Sequence, residues 1–253
     1  MQSIERIIEK INQAVRLDFG NVLGESFELF KKTWLYGFLL QLVTFIIMLP
    51  LIVVIYVPIF TMLIAQAKNG HVNPDAFSGA FVGMSFFYIT FIVVAIFALS
   101  AISFALNAGF FRMMKKLDFD EGVQTSDLFY FFKTAYFSKT FMLVLASFGI
   151  GLIAALLCYI PIFYVMVPLY YFALVFAFNS ELSVNDIIKI SFKLGNKKWI
   201  ISFGLLIVAS LMSQIVGLIL CGVGVLFTAA FVYHPYYIIY KHVIGFENDK
   251  TDY

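Results

Sequence analysis

Six long apolar stretches, separated by short charged segments, set the rhythm of the chain. They run from about Leu35 to Ala65, Ala80 to Phe111, Phe141 to Cys158, Pro161 to Phe178, Ile200 to Leu220 and Val223 to Tyr240. Each lies in or above the range of roughly 17–25 residues that carries a helix across bilayer hydrocarbon. Helices are the expected form, because open strands would leave backbone groups unpaired in lipid. Two of the connecting turns are short and uncharged, CYIP at 158–161 and CGVG at 221–224, with Pro161, Gly222 and Gly224 as breakers. The expected fold is therefore an all-α polytopic membrane protein, its six transmembrane helices arranged as three hairpins.

A second pattern precedes each hairpin. SFELFKKTW (Ser26–Trp34) returns 165 positions later as SFKLGNKKW (Ser191–Trp199), and YFSKTF (Tyr136–Phe141) is a fainter echo between them. In the first lead-in Phe19, Val22, Leu23, Phe27 and Phe30 interleave with Glu25, Glu28, Lys31 and Lys32. The second starts at a capping Thr125 or Ser126 and carries Leu128, Phe129, Phe132 and Phe137. In the third, Ser183 and Asp186 form a capping-box pattern ahead of Ile187, Ile188, Ile190, Phe192 and Leu194. Spacings of three and four predict cytoplasmic amphipathic helices lying in the interface plane. The lysines would then reach anionic headgroups, at about 1 kcal/mol each. The expected interfacial anchors are Lys31, Lys32, Trp34, Lys139, Phe141, Lys197, Lys198 and Trp199, with Trp34, Phe141 and Trp199 marking the turn into the bilayer. This divides the chain into cytoplasmic amphipathic N-terminal helices (1–33), a six-helix membrane domain (34–243) and a short cytoplasmic tail (244–253).

Composition and charge sharpen this reading. The chain is 62% apolar and 13% charged, against roughly half and a quarter in soluble domains. The N-terminal segment is charged throughout and lacks the apolar core and cleavage site of a signal peptide, so the first span is expected to be its own insertion signal. Sixteen of the 17 Lys and Arg residues fall on one side of the predicted spans, with only Lys68 opposite. By the positive-inside rule both termini and the two long basic loops are cytoplasmic. The basic loops are mixed with acids, which argues against nucleic acid as a partner.

FNSELSVNDIIKISFKLGNKKW, an apolar span, and then CGVGVLFTAAFVYHPYYIIY resemble the C-terminal half of an uncharacterised bacterial integral membrane family. NAGFFRMMKKLDFDEGVQTSDLFYFF resembles the middle of that family, and the likeness runs over most of residues 20–243. Related membrane segments accompany some glycerophosphodiester phosphodiesterases, whose soluble catalytic domain has no counterpart here. The resemblance implies a six-span protein of the bacterial cytoplasmic (inner) membrane and implies no chemistry.

Candidate chemistry is sparse. No Asp, Glu, Lys or Arg lies inside the six spans, where an ionised residue would mark an ion path or proton relay. Among uncharged polar residues, Gln41, Asn107, Gln214 and His234 are the candidates for a small polar pocket; the alternative role is interhelical hydrogen bonding. His71, His234 and His242 have neither the spacing nor the nearby carboxylates of a metal site. Cys158 and Cys221 hold equivalent places before two outer turns, as free thiols or as a disulfide if that side is oxidising. No cofactor motif and no catalytic constellation is present, so a non-enzymatic role is expected. The first two spans, each about 31 residues or roughly 46 Å, outrun the hydrocarbon by about 15 Å. Either the first kinks at Pro50, which is preferred, or the hairpin projects and needs a covering partner. Two functions follow: an accessory or scaffold subunit of a membrane assembly, partnered by lipids and by another membrane protein or itself, or a carrier for a lipidic or amphipathic molecule.

Overall fold

The computed structural model describes residues 4–68, 86–220 and 222–246. The start of the second predicted span, His71 and Cys221 lie outside them. The described chain is all helix, with no strand. The order is α1 (Ile4–Gln13), α2 (Phe19–Lys68), α3 (Phe86–Asp118), a 3₁₀ helix (Thr125–Phe132), α4 (Thr134–Leu156), α5 (Ile160–Phe178), α6 (Val184–Lys197), α7 (Trp199–Ile219), α8 (Gly224–Thr228), a 3₁₀ turn (Ala229–Val232) and α9 (Tyr233–Val243). Among the described residues five helices are long and apolar enough to cross a membrane: α2, α3, α4, α5 and α7.

The sixth predicted span is different. Val223–Tyr240 is broken into α8, the 3₁₀ turn and α9 rather than forming one helix. Thr228 Oγ1 donates to Ser213 O at 3.0 Å, while Ser213 Oγ of α7 donates to Thr228 O at 2.7 Å and so occupies a carbonyl where the helix tightens. The last piece, α9, is buried along nearly its whole length, with His234 through Tyr240 all inside. It is covered by protein rather than lipid.

The lead-ins also depart from the expected turn into the bilayer. α2 runs unbroken from Phe19 to Lys68, through Trp34 and through Pro50 and Pro58. Trp34 thus marks no change of direction. Phe141 lies two turns inside α4. Only the third unit has the expected break: α6 ends at Lys197 and α7 starts at Trp199. Its start is as predicted, with Ser183 Oγ accepting from the Asp186 N–H at 3.2 Å. In the second unit the cap position falls on Gln124 rather than on Thr125 or Ser126, and the Asp127 carboxylate reaches back to accept from the Gln124 N–H at 3.0 Å.

The apolar stripe of α6 faces protein, not the interface. Gly195 lies against Pro168 so closely that a Cβ would sit 2.9 Å from the proline Cα. Tyr164 OH donates to Asn196 Oδ1 at 2.7 Å, and Trp199 Nε1 donates to Tyr164 O at 3.1 Å. α6 therefore runs antiparallel along α5, burying Ile187, Ile190, Ser191, Leu194 and Gly195. Its outer face carries exposed Asn185, Lys189, Asn196 and Lys197. α5 is apolar all round, which suits either a membrane span or a core helix. Here 56% of its most apolar window is buried inside the protein, against 6% for α2.

The core is aromatic and sits around the N-terminal part of α2 and the C-terminal part of α3. Tyr171, Phe172 and Phe176 of α5 meet Tyr236, Tyr237 and Tyr240 of α9, Phe110 and Phe111 of α3, and Phe131 of the 3₁₀ helix. Outside it, α2 and α3 extend together, joined by Tyr88 OH donating to Val54 O at 2.6 Å. Their flanks are exposed and apolar: Phe45, Ile46, Ile52, Tyr56, Phe60 and Ile64 on α2, and Phe86, Phe87 and Phe91 on α3.

Candidate functional site

The predicted interfacial lysines are mostly engaged inside the protein. Lys139 reaches the carbonyls of the turn just after α5, donating to Ser180 O (2.7 Å), Leu182 O (2.9 Å) and Glu181 O (3.2 Å). A cation at a helix C-terminus is favoured there by the helix dipole. Lys197 donates to Asn12 O at 3.1 Å and Lys198 to Val15 O, tying the N-terminal segment to the α6–α7 junction. Lys198 is only 6% exposed. Burial, and secondarily the charge of Lys197, holds its ammonium below the usual lysine range. Lys32 pairs with Asp120 at 2.7 Å, and Lys31 with Glu28 at 2.5 Å, both at the surface. Of the aromatic anchors, Trp34 and Phe141 are exposed and Trp199 stacks on Phe203 with centroids 4.7 Å apart.

The four candidates for a polar pocket do not form one. No hydrogen bond among the described residues joins any two of them. Gln41 and Asn107 are half-buried and Gln214 is exposed. Asn107 meets the Tyr233 hydroxyl. His234 is fully buried. Its Nε2 lies 2.6 Å from Thr33 Oγ1 and its Nδ1 3.1 Å from Ala230 O. A carbonyl can only accept, so Nδ1 carries the proton and Nε2 accepts from Thr33. With both nitrogens used and Phe30, Phe110 and Phe231 around the ring, His234 is a core tie between α2 and α9 with no route to solvent.

Other polar ties were hidden in the apolar runs. Tyr171 and Ser202 hydroxyls meet at 2.8 Å, Asn179 Nδ2 donates to Tyr240 OH at 2.8 Å, and Asp118 accepts from Tyr237 OH (2.9 Å) and Lys241 (2.7 Å). The signal was present as tyrosines at 233, 236, 237 and 240, a helix stripe. It reads as an interfacial girdle until α5 is seen to cover it.

The 3₁₀ helix is pinned from both sides. Arg112 Cζ lies 3.8 Å from the centroid of Tyr130, with Lys133 Nζ also over that ring at 4.5 Å. Lys116 grips both oxygens of Asp127 at 2.8 Å. Burial pushes the Asp127 carboxyl up. The hydrogen bonds from Lys116 and the Gln124 N–H, with the charges of Lys116 and Arg112, outweigh it and hold the carboxyl below its usual range. A depressed carboxylate pKa gives stability that is present above the unfolded value of about 3.9 and is lost as pH falls through the lower folded value. Acid titration of the detergent-solubilised protein should loosen this segment below about pH 3.9, read as increased amide exchange at 125–132. Asp127→Asn should show the looser exchange already at neutral pH.

Two cavities flank this helix. On the side of Arg112 and Lys116, these two with Lys115, Glu121, Asn179, Glu181 and Tyr240 line a space of about 330 Å³ of mixed charge. On its apolar side a groove of about 520 Å³ is walled by Val94, Phe97, Ala98, Ala101, Ile102 and Ala105 of α3, Phe131 and Phe132, and Phe137, Thr140, Phe141 and Leu145 of α4. Thr140 is 4% exposed and its hydroxyl has no partner among the described residues. Among the described residues no three His, Cys, Asp or Glu side chains converge as metal ligands. Cys158 is exposed at the α4–α5 turn; its pairing with Cys221 falls outside the described residues. No family model, no curated protein and no solved structure gives a significant match to this chain.

Proposed function

We propose that this is a non-enzymatic integral membrane protein, an accessory or scaffold subunit that offers the paired α2–α3 arm to a partner within a membrane assembly. Its termini are cytoplasmic, as the distribution of Lys and Arg argues. Placement in a bacterial inner membrane, and kinship with the bacterial family it resembles, belong to the same proposal.

One observation carries this reading. α2 continues for 34 residues beyond Trp34, about 51 Å upright. Tilted by 40°, the upper end of the usual range, it still spans about 39 Å, more than the roughly 30 Å of hydrocarbon. Tyr56, Phe60 and Ile64 near its far end are exposed and apolar. Lipid tails cannot cover all of this surface, and a contiguous apolar patch in water is a contact site. Purification in mild detergent from native membranes tests the idea. The expected particle holds a second copy or another membrane protein; a strictly monomeric particle with no co-purifying protein would overturn it.

The α4–α5 hairpin enters the cytoplasmic leaflet without crossing. α6 lies along α5, so a fully transmembrane α5 would draw Asp186, Lys189, Lys193 and Lys197 into hydrocarbon. Each charge would cost about 2.5–3.5 kcal/mol at the bilayer centre. The exposed tip residues Leu156, Leu157, Tyr159 and Ile160 then face acyl chains from the cytoplasmic side. A second reading, a binding protein for a lipidic molecule, is favoured by the α3–α4 groove.

A further inference from the structure

We infer that the groove between α3, the 3₁₀ helix and α4 holds one acyl chain of a membrane glycerophospholipid, Thr140 donating to its ester carbonyl and Lys133 meeting its phosphate. This rests on the lipid-binding reading and is independent of the partner reading for the α2–α3 arm.

The groove has the dimensions of a single chain. Its α3 wall runs from Val94 to Ala105, a rise of about 17 Å. One leaflet offers roughly 15 Å of hydrocarbon. Ala98, Ala101 and Ala105 recur at three- and four-residue spacing and leave the floor low, while Phe132 and Phe141 form the sides.

Thr140 selects the occupant. A helical threonine can satisfy its hydroxyl on the carbonyl four residues back, yet this one makes no such bond and is buried facing the groove. A buried donor without an acceptor is costly, and a pure hydrocarbon would leave it so. The middle of a partner helix would too, because its backbone carbonyls are already bonded. An ester carbonyl at the head of an acyl chain supplies the acceptor.

Lys133 completes the order of groups. It lies seven residues before Thr140, about 10 Å toward the cytoplasmic start of α4. Its ammonium rests over Tyr130 at 4.5 Å, and it has no ion pair among the described residues. Chain, ester and phosphate thus meet groove, hydroxyl and ammonium in sequence.

Photocrosslinking of the full-length protein in nanodiscs of phosphatidylglycerol, phosphatidylethanolamine and diacylglycerol tests this. Leu145, on the groove, and Leu211, on the outer face of α7 and 54% exposed, are each replaced by p-benzoylphenylalanine, and adducts are identified by mass. Phospholipid adducts should dominate at Leu145 and be several times weaker at Leu211. Thr140→Val should lower the Leu145 yield roughly five- to tenfold, the equivalent of one hydrogen bond, and Thr140→Ser should restore it. Lys133→Gln should shift adducts toward diacylglycerol. Equal yields at both positions, an unaffected Thr140→Val, or a protein adduct at Leu145 would each overturn the assignment, and none of these outcomes bears on the α2–α3 arm.

Discussion

A membrane-impermeant maleimide added to intact cells should leave Cys158 unmodified. In a Cys221→Ser background Cys158 is the sole thiol, and it stands exposed at the α4–α5 turn. By sequence this turn belongs on the outside, between two apolar stretches of 18 residues. The packing argues otherwise. Beyond the turn, α5 has barely started when it meets Asn196 and Trp199 at Tyr164. Beside them Lys197 and Lys198 bind the carbonyls of Asn12 and Val15. The opposite end of α5 meets Lys139 at Ser180 and Leu182. Ionised groups therefore stand at both ends of the buried part of α5, and on the proposed orientation all belong to cytoplasmic segments. On that proposal a hairpin bounded in this way lies in the inner leaflet. Detergent should unmask Cys158. Lys68→Cys in a Cys158→Ser, Cys221→Ser background should react from outside, since α2 is long and apolar enough to cross. Labelling of Cys158 from outside at the Lys68→Cys rate would restore the crossing hairpin.

The second large effect concerns Gly109. On α3 it lies under the 3₁₀ helix so closely that a Cβ would sit 2.1 Å from Leu128 O and 2.8 Å from its carbonyl carbon. Backbone, not a flexible side-chain end, is the obstacle, so Gly109→Ala must push the 3₁₀ helix off α3. That strains the Arg112–Tyr130 stack and the Lys116–Asp127 pair together. Overpacking of this kind costs about 3 kcal/mol or more, a fall in Tm of roughly 6–12 °C for a chain of this size. Thermal unfolding in detergent, followed by intrinsic fluorescence, reads it directly. Gly149→Ala is the control: a Cβ there meets nothing within 4 Å, and alanine is the better helix former. Equal Tm values for the two variants would mean that the 3₁₀ helix is not seated on Gly109.

Legibility from sequence varied with the reach of the interactions. The apolar runs of α2, α3, α4 and α7 and the Ser183 cap of α6 were readable because each depends on residues close in the chain. Of the candidate site residues, the lysines were located but their partners were not. Lys139 bonds carbonyls 41 to 43 positions away, and Lys198 one 183 positions away. Thr140 gave no signal at all, since only the packing of α3 and the 3₁₀ helix against α4 leaves its hydroxyl unpaired.

Sequence alone determined that the chain is helical, with several segments apolar enough to cross a membrane and its charges confined between them, because hydropathy and charge are properties of local segments. Which apolar surfaces meet lipid and which meet protein was decided only in three dimensions. α5 and α2 are both apolar throughout, yet α5 is enclosed by α6, α9 and α3 while the outer part of α2 is bare. The physical reason is that hydrophobic burial has no direction. A run of apolar residues states that water must be excluded, and the packed neighbours determine whether lipid or protein excludes it.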